Sequence, residues 1–253
     1  MARSLRTTGG AARLRRVALI GIDGSGKTTQ AHRLADALTQ AGRPATYHRN
    51  AGGRRWLGRL AHRLGRPDAQ RLIGRNGVLA VESLLRWLAI AAALLSCLLT
   101  GRVAVMDRYA ACQYASIRAH GGQRWERLAR VGYRVFPRPQ VTLLLTVDPT
   151  EAYRRIERRG TDHETMEWLA AADTAYRTLP EYPTFVVVDA SGPPDEVSRR
   201  ILAHLSEWLP SGVVTPPPTP PERAPSPVVE PPERPAPPAV EPPREPVVAQ
   251  ARP

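Results

Sequence analysis

Residues 21–28 read Gly-Ile-Asp-Gly-Ser-Gly-Lys-Thr, and this octapeptide constrains the fold more than any other stretch of the chain. It satisfies the pattern G-x-x-x-x-G-K-[ST], in which glycines let backbone amides turn inward around an anion, the lysine reaches between phosphates and the hydroxyl holds a divalent cation. Such a loop needs a strand before it and a helix after it. Residues 17–22 form a short apolar run that reads as a buried strand, and residues 27–41 place Ala31, Leu34, Ala35 and Leu38 on one helical face before Gly42 stops the helix. The expectation is an anion nest at a helix start. Gly21, Asp23, Gly24, Ser25, Gly26, Lys27, Thr28 and Thr29 would surround the phosphates of ATP, with Thr28 on Mg²⁺.

Base usage points to the same place. The chain has 36 Lys plus Arg, and Lys27 is its single lysine. A chain that writes every other cation as Arg keeps a compact ammonium where one must fit between phosphates.

Further along, apolar runs alternate with helical patterns. Residues 45–49, 103–106, 141–147 and 185–188 read as strands, and residues 77–100, 109–119, 124–133, 149–158, 164–179 and 193–208 as helices. Residues 56–64 have helical spacing within an otherwise unassigned Gly- and Arg-rich stretch. Asp148-Pro149 supplies an N-cap followed by proline at the first helical position. Strands that are apolar throughout, alternating with helices, predict a parallel sheet covered on both faces. The fold class expected is therefore α/β, a three-layer α/β/α P-loop kinase fold with a five-stranded parallel sheet.

Composition divides the chain into three. Of 26 prolines, 16 follow Pro210, and residues 211–253 hold no aromatic residue, which predicts a disordered, partly polyproline-II tail. Residues 1–16 carry five arginines and read as a flexible basic arm, leaving 17–210 as the folded domain. The net charge of +13 suits anionic substrates, but charge does not separate nucleotides from nucleic acid or acidic lipid. No nucleic-acid reader motif is present, so that partner class is not expected. Cys97 and Cys112 lack metal-ligand spacing, which makes a reduced, cytoplasmic compartment the default. The apolar run 87–99 is too short to span a bilayer, and residues 77–100 are expected to be a long buried helix.

A second chemical element follows the third strand. Asp107-Arg108-Tyr109 puts a carboxylate at the C-terminal edge of a parallel strand, beside the crevice where open α/β sheets bind ligands. Asp107 is a candidate for Mg²⁺, directly or through water, and Arg108 for the transferring or accepting phosphate. Phosphoryl transfer between polyanions is mostly positioning and charge neutralisation, so further arginines should clamp the acceptor. A mobile lid should supply one more arginine and shut out water.

From about residue 17 to 205 the chain resembles the thymidylate kinase family of nucleoside monophosphate kinases. The resemblance rests on the loop at 21–29, on Arg49-Asn50-Ala51-Gly52-Gly53 against that family's Arg-Glu-Pro-Gly-Gly, and on Asp107-Arg108-Tyr109. Arg86 stands 21 residues before Asp107, the spacing of the family's phosphate-clamping arginine. The run LTVDPTEAYRRI at 145–156 is close to the family's fourth strand and helix, and residues 158–164 are similar to its short arginine-bearing lid. Asp189-Ala190-Ser191 is similar to the loop that lies against adenine, which implies a place for Ser191 in donor binding. The resemblance implies phosphoryl transfer from ATP with Mg²⁺ to a nucleoside monophosphate, dTMP by default, with Arg49 and Arg86 beside Arg108 as candidates to clamp the acceptor phosphate and Arg155 or Arg159 as the lid arginine. It also implies a homodimer, which the apolar helix at 77–100 would allow.

The acceptor pocket departs from that family's pattern. Glu82 stands where the family has a Phe that stacks on thymine, and Cys112, Gln113 and Ser116 stand where it has Ser, Asn or Ser, and an aromatic. The lid's Asp-Arg is Asp162-His163. Glu82 and Gln113 would therefore meet an acceptor in place of the ring. Two other readings stay open: a P-loop kinase for another small-molecule acceptor, and a nucleotide-binding regulatory protein. In the latter, Pro-x-x-Pro spacing in the tail would dock on a protein partner.

Overall fold

The computed structural model describes residues 13–50, 63, 69–160 and 164–209. The basic arm up to residue 12, Ala51-Gly52-Gly53, the helical spacing at 56–64 apart from residue 63, lid residues 161–163 and the proline-rich tail lie outside the described residues.

Five strands form one sheet: β1 (Arg16–Ile20), β2 (Ala45–Arg49), β3 (Val103–Asp107), β4 (Val141–Thr146) and β5 (Val186–Asp189). Their order is β2-β3-β1-β4-β5, and every neighbouring pair is parallel. The described residues form seven α-helices: α1 (Lys27–Gln40), α2 (Ala69–Thr100), α3 (Ala110–Ala119), α4 (Gln123–Tyr133), α5 (Pro149–Arg159), α6 (Met166–Arg177) and α7 (Pro194–His204). Short 3₁₀ turns at Tyr182–Thr184 and Ser206–Trp208 complete the described chain. The last helix thus ends at His204, short of the 193–208 span expected from sequence.

The strands are apolar throughout because both faces of the sheet are covered. Val17 and Leu19 of β1 point to one core, with Leu34 and Leu38 of α1 and Ile201 of α7. Ala18 and Ile20 point to the other, with Ile90 of α2, Ile117 of α3, Ile156 of α5 and Leu169 of α6. Val17, Leu19 and Ile20 are fully buried, each contributing about 1.5–3 kcal/mol by removal from water. The architecture is the expected three-layer α/β/α fold.

Helix α2 differs from expectation. It starts at Ala69 and is interrupted at Gly74, whose φ of 70° and ψ of 166° no other residue type adopts readily. It is also only partly buried. Over Gly77–Thr100 it has the length and apolarity of a membrane span, yet only 28% of its most apolar window is buried. Leu84, Leu88, Leu95, Leu98 and Leu99 are exposed. Periodicity gave no warning, because this helix is apolar on most sides. The two charged residues of its Gly77–Thr100 stretch, Glu82 and Arg86, are buried, so the inner face is committed to the fold.

Candidate functional site

All five strands run the same way, so the loops after β1, β2 and β3 meet at one sheet edge. The order β2-β3-β1-β4-β5 reverses its direction of growth at β1, and a crevice opens at such a switch point. The loop of residues 21–26 lies there. Gly21, Gly24 and Gly26 have φ of 140°, 85° and 85°. Close approach matters at two of them: a Cβ on Gly21 would lie 2.4 Å from the Leu145 carbonyl oxygen, and one on Gly24 2.4 Å from that of Ala152. Gly24 therefore lets α5 rest on the loop.

Helix α1 follows the N-cap Gly26 with no side-chain cap and no acidic residue in its first turn. By contrast, α5 is capped by Asp148, whose Oδ1 accepts from the Thr150 amide at 2.8 Å, and α6 by Thr165. Leaving the first amides of α1 without a side-chain acceptor suits a helix start that receives an external anion.

Lys27 is 4% exposed and its ammonium donates to the Ile22 carbonyl, with Asp23 Oδ1 and Ser25 Oγ each at 3.4 Å. Burial lowers its pKa below the usual lysine value and Arg108 adds to this, while Asp23 and Asp107 work against it. Thr28 Oγ1 donates to Asp107 Oδ2 at 2.6 Å. Thr29 is exposed in the first turn of α1. Asp107 is 2% exposed, and its Oδ1 is buried with no hydrogen-bond partner among the described residues. One hydroxyl and one carboxylate, with an open oxygen on the latter, fit a magnesium ion that takes its remaining ligands from water and phosphate.

Arg108 has a φ of 78°, the only positive φ of a non-glycine among the described residues. Such strain persists where surrounding contacts over-determine it. Here its carbonyl accepts from Asn50 Nδ2 at 2.7 Å, its amide donates to the Leu19 carbonyl at 3.0 Å, and its guanidinium is paired with Asp23. Asn50 also donates its own amide to the Asp107 carbonyl at 3.0 Å. Arg49, at the end of β2, is exposed and in register with Asp107.

A second group of polar side chains is buried beside these. Glu82 and Arg86 on α2 are 1% and 6% exposed, and Gln113 on α3 is 0% exposed. Among the described residues, Arg86 Nε and Nη1 and both amide atoms of Gln113 have no hydrogen-bond partner. Tyr176 is buried, and its hydroxyl feels Cys112 and the charges of Arg108 and Arg86. Burial, with the influence of Cys112 next, holds that hydroxyl well above the usual tyrosine value.

The lid candidates are placed differently. Arg155 on α5 pairs with Glu151 at 2.9 Å and donates to the carbonyls of Ala190 at 3.0 Å and Ser191 at 2.9 Å. It ties α5 to the loop after β5. Arg159 is exposed at the end of α5. Ser191 is exposed, with its hydroxyl and amide both on Asp189 Oδ1, at 2.7 and 3.0 Å.

Three residues at the site were not singled out in the sequence. Asn50 holds Arg108 as described. Tyr47 of β2 donates to Asp107 Oδ2 at 3.2 Å, and burial, with the Asp107 charge next, pushes its hydroxyl up to about 12. Tyr176 follows the core spacing of α6. Only strand pairing reveals the first two, because their partners lie about sixty residues away.

The chain matches the thymidylate kinase family over residues 20–201. It is 33% identical over 205 residues to the thymidylate kinase of Xanthomonas euvesicatoria pv. vesicatoria, covering 76% of this chain and 85% of that protein. It is 31% identical over 204 residues to the thymidylate kinase of Halorhodospira halophila, with 76% and 94% covered. Against the probable thymidylate kinase of Archaeoglobus fulgidus it is 29% identical over 198 residues, with 76% and 95% covered. The match begins on β1 and closes on α7, enclosing the loop at the sheet switch point, the Asp107 edge and the buried Arg86. The chain belongs to the thymidylate kinase family of nucleotide kinases.

Proposed function

We propose that the protein uses ATP and Mg²⁺ to phosphorylate a nucleoside monophosphate, with dTMP as the reference acceptor. The observation that carries this reading is the Thr28–Asp107 hydrogen bond of 2.6 Å beside an uncapped helix start. Amides of residues 24–29 would bind the donor phosphates, and Lys27 would exchange its contacts to Ile22 and Ser25 for the β- and γ-phosphate oxygens. Thr28 and Asp107 would hold Mg²⁺, which when bound neutralises charge on the donor phosphates. Arg86 would bind the acceptor phosphate, its unpaired N–H groups matching oxygen acceptors. Arg108, held in place by Asn50 and Asp23, would bridge the two phosphate sites. An acceptor oxygen then bonds to the γ-phosphorus as its bond to the β,γ-bridging oxygen breaks, and ADP leaves. Arg49 would add charge at the acceptor, while Arg155 would hold the Ser191 loop toward the donor base. Arg159 would act from the lid.

A different acceptor of the same chemistry is favoured by a specific observation. Gln113 is fully buried with neither amide atom hydrogen-bonded among the described residues, and the Glu82 side chain is buried as well. A polar acceptor group would satisfy Gln113, where a stacked thymine would rely on a ring the chain lacks at position 82. An ADP-release assay across thymidylate, other monophosphates, nucleosides and sugar phosphates tests both readings. Turnover of dTMP supports the first; turnover confined to another acceptor supports the second; no turnover with any refutes both.

The exposed leucines of α2 suit a homodimer, which sedimentation would test. Cys97 and Cys112 are free thiols, in keeping with a reducing compartment such as the cytoplasm.

A further inference from the structure

We infer that Tyr47 is a positioning residue for the magnesium site, fixing the Asp107 carboxylate so that Oδ1 faces the cation. This rests on the reading of Thr28 and Asp107 as the metal-holding pair.

The geometry is specific. Asp107 Oδ2 accepts from two hydroxyls, Thr28 at 2.6 Å and Tyr47 at 3.2 Å, and Oδ1 has none. One donor leaves a carboxylate free to turn about its Cβ–Cγ bond. A second donor, arriving from a different element, fixes its plane. Thr28 comes from the start of α1 and Tyr47 from the middle of β2, so the carboxylate is held from two sides.

Tyr47 is itself held. Its backbone is in register with Val105 in the sheet. Its ring stacks on His32, with centroids 3.7 Å apart and planes 25° from parallel. His32 lies one turn beyond Thr28 on α1, so the stack braces the stretch of helix that carries the other donor. When the Thr28 hydroxyl turns a lone pair to a cation, Tyr47 keeps Oδ2 occupied and Oδ1 is the oxygen presented.

Tyr47→Phe keeps the ring and the stack and removes the hydroxyl. Mn²⁺ binding to the full chain, read by electron paramagnetic resonance in the presence of a non-hydrolysable ATP analogue, should weaken by on the order of tenfold or more. Affinity for the same analogue without metal should stay at the wild-type value. In turnover, the Mg²⁺ concentration for half-maximal rate should rise while the rate at saturating Mg²⁺ stays close to wild type. His32→Ala, at an exposed position, should shift Mn²⁺ affinity in the same direction by less. Wild-type Mn²⁺ affinity in Tyr47→Phe would overturn the inference, as would an equal loss of metal-free analogue binding. A wild-type chain that binds the analogue but no Mn²⁺ would instead overturn the metal assignment of Thr28 and Asp107.

Discussion

Arg86→Met separates function from stability at one position. Arg86 is 6% exposed, and Nε and Nη1 have no partner among the described residues. A buried polar group left unsatisfied costs about 1–3 kcal/mol, and methionine keeps much of the apolar stem without the charge. The variant should therefore unfold at a higher temperature, by about 2–4 °C for each kcal/mol in a domain of this size. Acceptor binding should move the other way. Two charge-assisted hydrogen bonds to a phosphate contribute about 1.5–3 kcal/mol each. At about 1.4 kcal/mol per decade, the acceptor KM should rise by about a hundredfold or more, with ATP affinity unchanged. Calorimetry with and without the acceptor reads both effects: acceptor should raise Tm in wild type and have little influence on the variant. A Tm several degrees below wild type, or an unaltered acceptor KM, would refute the reasoning, because Arg86 would then be a structural cation.

Three further outcomes follow, two at the loop and one at His48 of β2. Lys27→Ala should abolish transfer in steady-state assays while the circular dichroism spectrum and Tm stay close to wild type. Gly24→Ala should lower Tm and nucleotide affinity together, since its Cβ would sit 2.4 Å from the Ala152 carbonyl oxygen at a φ of 85°; wild-type values in both would show that α5 can withdraw from the loop. His48, whose Nε2 lies 3.3 Å from Cys97 Sγ, has its pKa lowered by burial. The unfolded chain therefore takes up the proton first as pH falls below about 6.5. Its contribution to stability is present above that pH and is lost as pH falls through the lower folded-state value. Denaturant titrations should show His48→Gln losing less stability than wild type between about pH 7 and 5.

The sheet was legible from its strands because full burial on both faces leaves uninterrupted apolar runs, and the Gly21–Thr28 loop because its chemistry is local. What escaped was whatever depends on partners far along the chain. Nothing near Tyr47 shows that its hydroxyl meets Asp107, and nothing near Arg108 shows that Asn50 clasps its carbonyl. Arg155 looked like a lid arginine from its helix, yet its guanidinium is engaged by carbonyls of the Ala190–Ser191 loop. The exposed face of α2 escaped because leucine on every side gives no sign of which side is covered. Gln113 was visible as a residue type, but its emptiness on both amide atoms is a property of packing.

The single lysine, 4% exposed in its loop, makes the protein its own reporter of loop opening. A lysine-specific endoproteinase has one bond to cut in the whole chain, after Lys27. That bond is sealed while the loop is closed on β4 and α5. The rate at which the full-length band splits in two therefore reads the free energy of opening at this spot, and a nucleotide that seats there would slow the cut in proportion to its occupancy.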